Sequence, residues 1–366
     1  MLSCRERLSR HPASPTGVVL TPSGNGKTSS VETGFGPFDA RDPRYPYTCT
    51  FHWFRLPDQS IVGLDVIRSD ESTDSRQYRQ MGLRVFLLAP GKPMRWLVEV
   101  HDRSAWDAYF DGERPPSNIV GRQAEAGQPV IGRGKGWVAA AVSSGSQGEN
   151  RIARVSFQLD IAPQSPMQTN GNVLGQLTGL LSSRGLHLSA ADFTRVVTRG
   201  SISIDGTAPI QVESVGPASI HYGQFLPEYA YIATVPVLTD SGSAPVEFLL
   251  GSVHKDNFAI PVPKDLPFTY AYTRWQNVPE RLFALGKAPE KGSRRIALGK
   301  GWSILLSEIQ SPVEHKLLDV PTWTAAASGR LDRGDGDDSN LKGDEALDVG
   351  TVILDFRGDY YIDILR

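Results

Sequence analysis

Apolar and polar residues alternate with a period of two along most of this chain. The clearest run covers 154–161, where valine, phenylalanine, leucine and isoleucine occupy the odd positions and polar residues the even ones. Similar runs cover 96–100, 246–250 and 352–364. Because successive side chains of a strand point to opposite faces, this period is typical of strands with one buried face. With glycine and proline recurring at turn spacing, the pattern predicts an all-β protein, and 352–364 predicts one long strand that closes a barrel.

Two local signals add detail to this pattern. The dipeptide Asp205-Gly206 lies between isoleucines at 202 and 204 and apolar residues at 210 and 212. It predicts a tight hairpin, because glycine tolerates the positive φ that such a turn demands. Between Val173 and Leu181, apolar residues are spaced like one face of a short helix, although two glycines weaken that pattern. We interpret this stretch as a short helical connector.

Shifts in composition divide the chain into an arm and two β-rich units. Residues 1–45 are rich in proline, glycine, serine and threonine and lack apolar periodicity, which is typical of a flexible segment. The tetrapeptide Gly-Lys-Gly-Trp occurs at 134–137 and again at 299–302. It marks equivalent hairpins in duplicated units or arises by chance. We predict a flexible arm over 1–45, a first β domain over 46–165, the connector over 166–190 and a second β domain over 191–366.

Charge and composition narrow the class of protein. The 38 basic and 40 acidic residues are interspersed and leave a formal charge of -2, so no basic field for nucleic acid exists. No apolar run approaches the roughly 20 residues that a membrane span needs, and residues 1–20 lack the apolar core of a secretory signal. Cys4 and Cys49 are too few for a disulfide framework. We expect a cytoplasmic protein without nucleic-acid partners or membrane insertion, in an oligomeric state that stays open.

The sequence contains stretches that partly match known site motifs, but key residues of each motif are missing. The stretch 21–28 ends like a phosphate-binding loop, but Thr21 replaces its first glycine and no helical pattern follows. The acidic stretch 332–345 departs from the calcium-loop pattern, with Asn340 and Ala346 at the positions of its glycine and closing glutamate. The seven histidines lack zinc-site spacing, and neither a nucleophile elbow nor a dinucleotide fingerprint occurs. We therefore expect no metal and no cofactor.

The first β region opens with the aromatic phrase Phe-His-Trp-Phe at 51–54. A strand there places His52 and Trp53 on opposite faces, and we take both as substrate-binding candidates. Asp65 follows at a parity that is otherwise apolar. If it points inward, its pKa is raised and it can serve as a catalytic acid or base. The alternatives are a position at a strand edge or a salt link with Arg68.

The second half places a histidine among tyrosines. His221 and Tyr222 lie shortly before Tyr229 and Tyr231, which alternate on one strand. Histidine titrates near neutrality and tyrosine carries a donor on an apolar body, so the group suits proton transfer or orientation of a carbonyl ligand. A histidine packed in the core beneath aromatic rings is the alternative. We take His221 and Tyr222 as catalytic candidates. The further substrate-binding candidates are Trp96, Tyr229, Tyr231, Tyr272 and Trp275.

Two phrases resemble the AttH and hydroxyneurosporene-synthase-like proteins, a lipocalin-related family. One is the aromatic opening at 51–54, which leads into 61–67, and the other is the hairpin at 200–216 with its continuation to 223. This sequence departs from the family phrase G-x-x-D-H-S-W-G at the positions with polar or aromatic side chains. The residues at its Asp, His and Trp positions are Ser219, Ile220 and Tyr222. His221 is displaced by one residue, which moves a strand side chain to the other face.

The resemblance covers roughly 47–366 and implies two tandem lipocalin-like antiparallel β-barrels. The wider group includes carotenoid hydratases and fungal decalin-forming Diels–Alderases. It implies a cofactor-independent cyclase, isomerase or hydratase that acts on an apolar polyketide- or terpenoid-like metabolite in natural-product biosynthesis. A non-catalytic carrier of a small apolar ligand is the alternative, because barrels bind ligands without catalysis. A structural module without a cavity is the third possibility.

Overall fold

The computed structural model describes most of the predicted β regions, and the regular elements of the described residues are β-strands. The predicted N-terminal arm, the phosphate-loop-like stretch at 21–28 and the helical pattern at 173–181 lie outside the described residues. The described ranges are 47–69, 80–102, 129–134, 136–144, 148–163, 168–169, 190–223, 229–235, 246–253, 269–275, 278–285, 294–299, 302–317, 320–333 and 347–359.

The strands form two antiparallel sheets, each curled into a half-barrel, which confirms the all-β class with two tandem lipocalin-like units. The first sheet contains β1 (Tyr47–Arg55), β2 (Ile61–Ser69), β3 (Gln80–Leu88), β4 (Arg95–Asp102), β5 (Val130–Gly134), β6 (Trp137–Ser143), β7 (Arg154–Pro163), β8 (Gln168–Thr169), β9 (Ala190–Ile204) and β10 (Ile210–Gly223). The second sheet contains β11 (Tyr229–Val235), β12 (Val246–Val253), β13 (Thr269–Trp275), β14 (Val278–Leu285), β15 (Arg295–Gly299), β16 (Trp302–Ser307), β17 (Val313–Leu317), β18 (Val320–Arg333) and β19 (Leu347–Arg357).

In each sheet the first strand pairs with the last. The first sheet has the order β4-β3-β2-β1-β10-β9-β7-β6-β5, and the second has the order β14-β13-β12-β11-β19-β18-β16-β15. The short strands β8 and β17 lie off these paths and pair with β9 and β18. The two orders therefore match strand for strand, with β7 as an additional strand of the first sheet.

The repeated Gly-Lys-Gly-Trp occupies equivalent hairpins in the two sheets. Gly134 pairs with Trp137 across the β5–β6 turn, and Gly299 pairs with Trp302 across the β15–β16 turn. Each hairpin forms the same edge of its sheet. The shared register and shared position support the interpretation of the repeat as a mark of duplicated units.

The sheets divide later in the chain than the sequence predicts. The second domain is predicted to begin at 191, whereas residues 190–223 form β9 and β10 of the first sheet. They belong there because β10 pairs with β1 and β9 pairs with β7. The division falls between Gly223 and Tyr229. The predicted closing strand at 352–364 is described as far as Arg357, where β19 ends between β11 and β18.

The predicted hairpin at Asp205-Gly206 is confirmed. The backbone φ is 53° at Asp205 and 76° at Gly206. The N–H of Thr207 donates to the carbonyl of Ile204 at 3.1 Å. Two successive residues with positive φ define the type I′ turn that joins tightly paired strands. The Asp205 carboxylate also accepts the N–H of Ala153 at 2.8 Å, which ties the turn to the segment before β7.

Alternation gives the first sheet two buried faces. Phe54, Val62, Leu64 and Val85 belong to a cluster that also contains Phe157, and this cluster is the sheet's own core. Residues of the opposite parity on β1, β2 and β3 are also buried, because they pack against the second sheet. In the described part of the chain, no helix has the length and apolarity to cross a membrane.

Candidate functional site

Three rows of side chains cross the face of the first sheet that is turned toward the second sheet. Residues in a row lie opposite one another on neighbouring strands, so their side chains are neighbours. The outer row contains Arg55, Ile61 and Leu88, the middle row contains Trp53, Gly63, Phe86 and Trp96, and the inner row contains Phe51, Asp65 and Arg84.

The second sheet presents two corresponding rows. Its inner row contains Tyr231, Asp355 and Thr324, and its outer row contains Val235, Thr351 and Ser328. Phe51 and Tyr231 stack with ring centroids 4.8 Å apart, so the inner rows are in contact. At the outer rows, Nη2 of Arg55 donates to the carbonyl of Val235 at 2.7 Å. The two sheets therefore pack directly at the inner rows and are bridged by an arginine at the outer ones.

A cleft of about 1040 Å³ lies beside the outer rows, between the two sheets. Half of its lining residues are apolar, and it is as large as the biggest small-molecule pockets, which span about 300–1,000 Å³. The lining comprises Arg55, Gln59, Ile61, Leu88, Ala89, Pro90, Gly91, Lys92, Pro93, Met94, Trp96, Asn150, Glu308, Gln310, Ser311, Pro312, Val313, Glu314, Ala326, Ala327, Ser328 and Thr351.

Turns with left-handed backbone border the cleft. The φ is 69° at Gln59, 66° at Gly91 and 50° at Glu308, and all three residues line the cleft. For a residue with a Cβ this conformation costs about 1–2 kcal/mol. Strain of this kind persists where the surrounding structure enforces it, and it collects at binding sites. Gln59 and Glu308 therefore mark two strained turns at the rim of the cleft.

The charged lining residues separate by sheet. Arg55 and Lys92 come from the first sheet, and Glu308 and Glu314 come from the second. Arg55 is half-buried, and burial lowers the pKa of its guanidinium, whereas the other three side chains are exposed. Glu308 accepts a hydrogen bond from the Ser328 hydroxyl at 2.8 Å. Of these four charges, Arg55 is the one that is withdrawn from solvent.

A buried ionic cluster lies behind the cleft and joins the two sheets. Arg84 donates from Nε to Asp65 at 2.6 Å, and from Nη1 and Nη2 to the two oxygens of Asp355, each at 3.2 Å. Thr324 donates its hydroxyl proton to Asp355 at 2.6 Å. Arg84 is fully buried and lies 4.8 Å from the centre of the Phe51 ring. Breaking one partner of such a cluster would leave buried charge uncompensated.

His315 completes this cluster as a neutral side chain. Nη1 of Arg84 lies 3.1 Å from Nε2 of His315. A guanidinium can only donate, so Nε2 is the acceptor and the ring proton resides on Nδ1. Burial and, after it, the Arg84 cation lower the pKa of His315 well below its usual value. The imidazole is therefore held uncharged, with one tautomer selected.

Trp96 lines the cleft and lies beside the His315 end of this cluster. Its indole lies 6.1 Å from the His315 ring, and the Arg151 guanidinium covers it at 3.6 Å from the ring centroid. The backbone N–H of Trp96 donates to the Asn150 carbonyl at 3.0 Å, and the backbone carbonyl of Trp96 accepts the N–H of Ile152 at 2.9 Å. Because backbone and ring are both fixed, Trp96 forms a rigid wall of the cleft.

Known structures share this architecture. No family model matches the chain, and no curated protein matches it. An AttH-like protein from Nitrosomonas europaea aligns with a TM-score of 0.50 and 14% identity, over 93% of this chain and 99% of that one. The chain has the AttH-like fold. The resemblance found in the sequence is thereby confirmed for the architecture.

Two other solved structures align more loosely with this AttH-like fold. Kievitone hydratase from Nectria haematococca has a TM-score of 0.46 and 9% identity, over 93% of this chain and 97% of that chain. CghA with Sch210972 has a TM-score of 0.43 and 8% identity, over 85% of this chain and 88% of that chain.

The AttH-like fold brings several predicted site residues to the contact between the sheets. Trp53 and Tyr231 are buried in the packed rows, and Trp96 lines the cleft. Asp65 is buried on β2, an interior strand, where its carboxylate accepts a hydrogen bond from Arg84. The side chain of Arg68 lies outside the described residues. His52 lies elsewhere, because its parity turns it into the first sheet's core, where it is buried.

For the remaining predicted site residues, the structure describes the position in a strand and the strand pairing. His221 pairs with Cys49, and Tyr222 pairs with Thr48, at the end of β1 that is far from Arg55 and the cleft. By the rise per residue, this end lies roughly 20 Å from Arg55 along the strand. Their catalytic roles, and that of Asp65, stay predictions. Tyr229 starts β11, Tyr272 lies in β13 opposite Leu249, and Trp275 ends β13 opposite Val246.

Sequence reasoning missed Arg84, Asp355 and His315. A signal existed for Arg84, because it is the one charged residue of β3. Asp355 stands out less, because β19 also contains Asp348 and Arg357. His315 lies in the mixed segment Val-Glu-His-Lys-Leu, which carries no comparable signal. Within the described ranges, no group of three or more histidine, cysteine or acidic side chains is arranged to hold a metal.

Proposed function

We propose that the protein encloses an apolar polyketide- or terpenoid-like metabolite between its two sheets and converts it as a cofactor-independent cyclase, isomerase or hydratase. The cleft is the observation that carries this proposal, because it combines a volume of about 1040 Å³ with a lining that is half apolar. A flexible apolar chain held there is restricted to few conformers. Orientation of this kind removes entropy from the barrier without any cofactor.

Trp96 and the cluster behind it have different parts in this proposal. Trp96 is the wall against which the ligand folds, because it lines the cleft and its ring is held by the Arg151 guanidinium and the neighbouring His315 ring. His315 and Arg84 are positioning residues, because both are buried, the His315 ring lies 6.1 Å from the indole, and Arg84 is hydrogen-bonded to His315. They keep the Trp96 indole in one position, and a rigid cleft wall is required to select one conformer of the ligand.

A non-catalytic carrier is the second candidate, and one observation favours it. The buried ionisable set of Arg84, Asp65 and His315 lies behind Trp96, whereas the cleft lining itself contains Arg55 and exposed charges. Proton transfer to a ligand requires a group within hydrogen-bond reach. A carrier needs the cleft alone.

Native mass spectrometry distinguishes these candidates. Protein incubated with an apolar extract of its source cells should retain a small molecule, and Trp96→Ala should lose it because the wall is gone. Trp137→Phe is the matched control, since Trp137 is buried in a separate small cluster with Val130 and Ala139. A molecule retained equally by Trp96→Ala would contradict the assignment of the cleft. Release of a chemically altered molecule supports an enzyme, and release of an unaltered one after long incubation supports a carrier.

A further inference from the structure

A short segment, residues 150–154, holds Trp96 in the wall of the cleft. It contacts the backbone of Trp96 through two hydrogen bonds, because the Asn150 carbonyl accepts the Trp96 N–H and the Ile152 N–H donates to the Trp96 carbonyl. The Arg151 guanidinium lies over the indole, 3.6 Å from the ring centroid. The position of the indole therefore depends on where the 150–154 segment lies.

The side chain of Asp205, in the hairpin turn between β9 and β10, binds the other end of this segment. Its Oδ1 accepts the backbone N–H groups of Ala153 at 2.8 Å and Arg154 at 3.2 Å. Its Oδ2 accepts a hydrogen bond from Nη2 of Arg95, the first residue of β4. The same Nη2 donates to the Arg151 carbonyl at 3.0 Å. One carboxylate and one guanidinium therefore tie the segment to the start of β4.

Asp205 is held in one conformation and in its charged form. Its own N–H donates to the Arg154 carbonyl at 2.8 Å, so its backbone is fixed to the segment as well. Burial by itself raises the pKa of Asp205, but the hydrogen bonds from Arg95 and from the two backbone N–H groups bring it below its usual value. The carboxylate is therefore ionised at neutral pH, where its hydrogen bonds are the stronger, charge-assisted kind.

We propose that Asp205 is a positioning residue of the cleft, which fixes the Trp96 wall through Arg95 and the 150–154 segment. Asp205 is not one of the described residues that line the cleft, so it acts through these neighbours and not on the ligand. This inference rests on the proposed function, because the wall affects a ligand only if the cleft binds one. A wall that is in place in only a fraction of the molecules lowers the apparent affinity by that fraction.

Asp205→Gly tests this assignment, because glycine tolerates the positive φ of the turn and removes the carboxylate alone. All-trans-retinol, an apolar terpenoid alcohol that fluoresces on binding, is titrated against the full-length protein. We expect about tenfold weaker binding to the variant. Hydrogen exchange followed by mass spectrometry should become faster in the peptide that contains Trp96 and stay unchanged in β2.

Two further variants follow the same connection. Asp205→Asn keeps one oxygen for the backbone N–H groups and should weaken retinol binding less than Asp205→Gly does. Arg95→Gln removes the link to the Arg151 carbonyl and should reproduce both effects of Asp205→Gly. The double variant of Arg95→Gln with Asp205→Gly should bind no more weakly than either single variant, because both changes break one connection.

Thr207→Ala is the matched control within the same turn. The Thr207 hydroxyl accepts the Ile204 N–H at 3.3 Å, so this change weakens the hairpin and leaves the Asp205 carboxylate in place. It should alter neither retinol affinity nor exchange at Trp96. Equal weakening of retinol binding by Thr207→Ala would overturn the inference, because the turn would then have a general structural role.

The two measurements separate failure of the inference from failure of the proposed function. Wild-type exchange at Trp96 in Asp205→Gly would overturn the inference, whether or not retinol binds. Faster exchange throughout the first sheet would also overturn it, because the carboxylate would then stabilise the whole sheet and not the wall. Failure of the wild type to bind retinol would count against the proposed function, and exchange at Trp96 would still decide the role of Asp205.

Discussion

Burial divides the ionisable residues of this chain into two kinds. Arg199 and Glu213 form an ion pair with side chains 62% and 76% exposed, and pairs of this kind contribute about 0–1 kcal/mol. Arg84 and Asp65 are paired at 0% and 1% exposure, where loss of one partner costs about 3–5 kcal/mol. An arginine–carboxylate pair therefore contributes little to stability at the surface and much more when it is buried.

His52 shows the consequence of burial for a single titratable residue. Its Nε2 lies 2.6 Å from the Thr198 hydroxyl, and desolvation lowers its pKa from 6.5 to about 3. Between these two pH values, the unfolded chain binds a proton that the folded chain does not bind. The stability contributed by the neutral ring is fully present above about pH 6.5 and is lost as the pH falls toward 3.

Replacement of His52 by glutamine should therefore flatten the pH dependence of stability. Glutamine keeps a hydrogen-bonding group near Thr198 but does not titrate. Between about pH 7 and pH 5, the wild type should lose about 2 kcal/mol more than His52→Gln in the free energy of unfolding. Urea titrations at the two pH values measure this difference. Parallel losses in both proteins would show that His52 has the same pKa in the folded and unfolded chains.

At the scale of elements, local pattern predicted strands and turns because both depend on neighbouring residues. The period of two follows from strand geometry, and the Asp205-Gly206 turn follows from the φ that glycine permits. The tie between Arg84 and Asp355 joins residues 271 positions apart, and no local pattern encodes such a contact. The boundary at 191 was missed for the same reason, because pairing with distant β1 assigns β9 and β10 to the first sheet.

For the candidate site too, the sequence predicted single residues but not the contacts between distant segments. Trp96 and Asp65 could be selected because each is conspicuous within its own strand. The cleft could not be predicted, since its lining joins the turns after β1 and β3 with the loop after β16. Those turns meet only when the two sheets pack, and packing of the rows depends on side-chain shape rather than on periodicity.

One element-level detail of that packing is the space that Gly63 leaves for Trp53. A Cβ at Gly63 would overlap the Trp53 ring, which is buried and stacks with Phe86 at 5.9 Å. Gly63→Ala should therefore destabilise the protein by about 1–3 kcal/mol, the usual cost of overpacking. Urea unfolding followed by circular dichroism measures it.

Gly82 provides the matched control on the adjacent strand. A Cβ there would meet Ile67 at 3.4 Å, which is close to ordinary contact. Gly82→Ala should change stability by less than about 1 kcal/mol. In a Trp53→Leu background, the cost of Gly63→Ala should shrink because the clashing ring is gone. A cost that persists in that background would assign the role of Gly63 to its backbone.

At the scale of the whole molecule, the inner rows couple two sheets that could otherwise unfold separately. Phe51 of the first sheet stacks on Tyr231 of the second, with an interplanar angle of 16°. Arg84 and Asp355 add an ionic contact across the same boundary. Because these contacts are buried, loss of either sheet would expose polar and aromatic groups of the other. We expect the described sheets to unfold in one cooperative transition.

A double-mutant cycle measures this coupling directly. Phe51→Leu and Tyr231→Leu should show an interaction energy of about 0.5–1.5 kcal/mol, because a stacked aromatic pair contributes that much beyond its buried area. Phe157→Leu is the control partner for Tyr231→Leu, since Phe157 lies in the first sheet's own core, and that pair should be additive. Additivity of Phe51→Leu with Tyr231→Leu would mean that the sheets are not coupled through this contact. The cleft would then lie between two independently moving walls, which could not hold a ligand in one conformer.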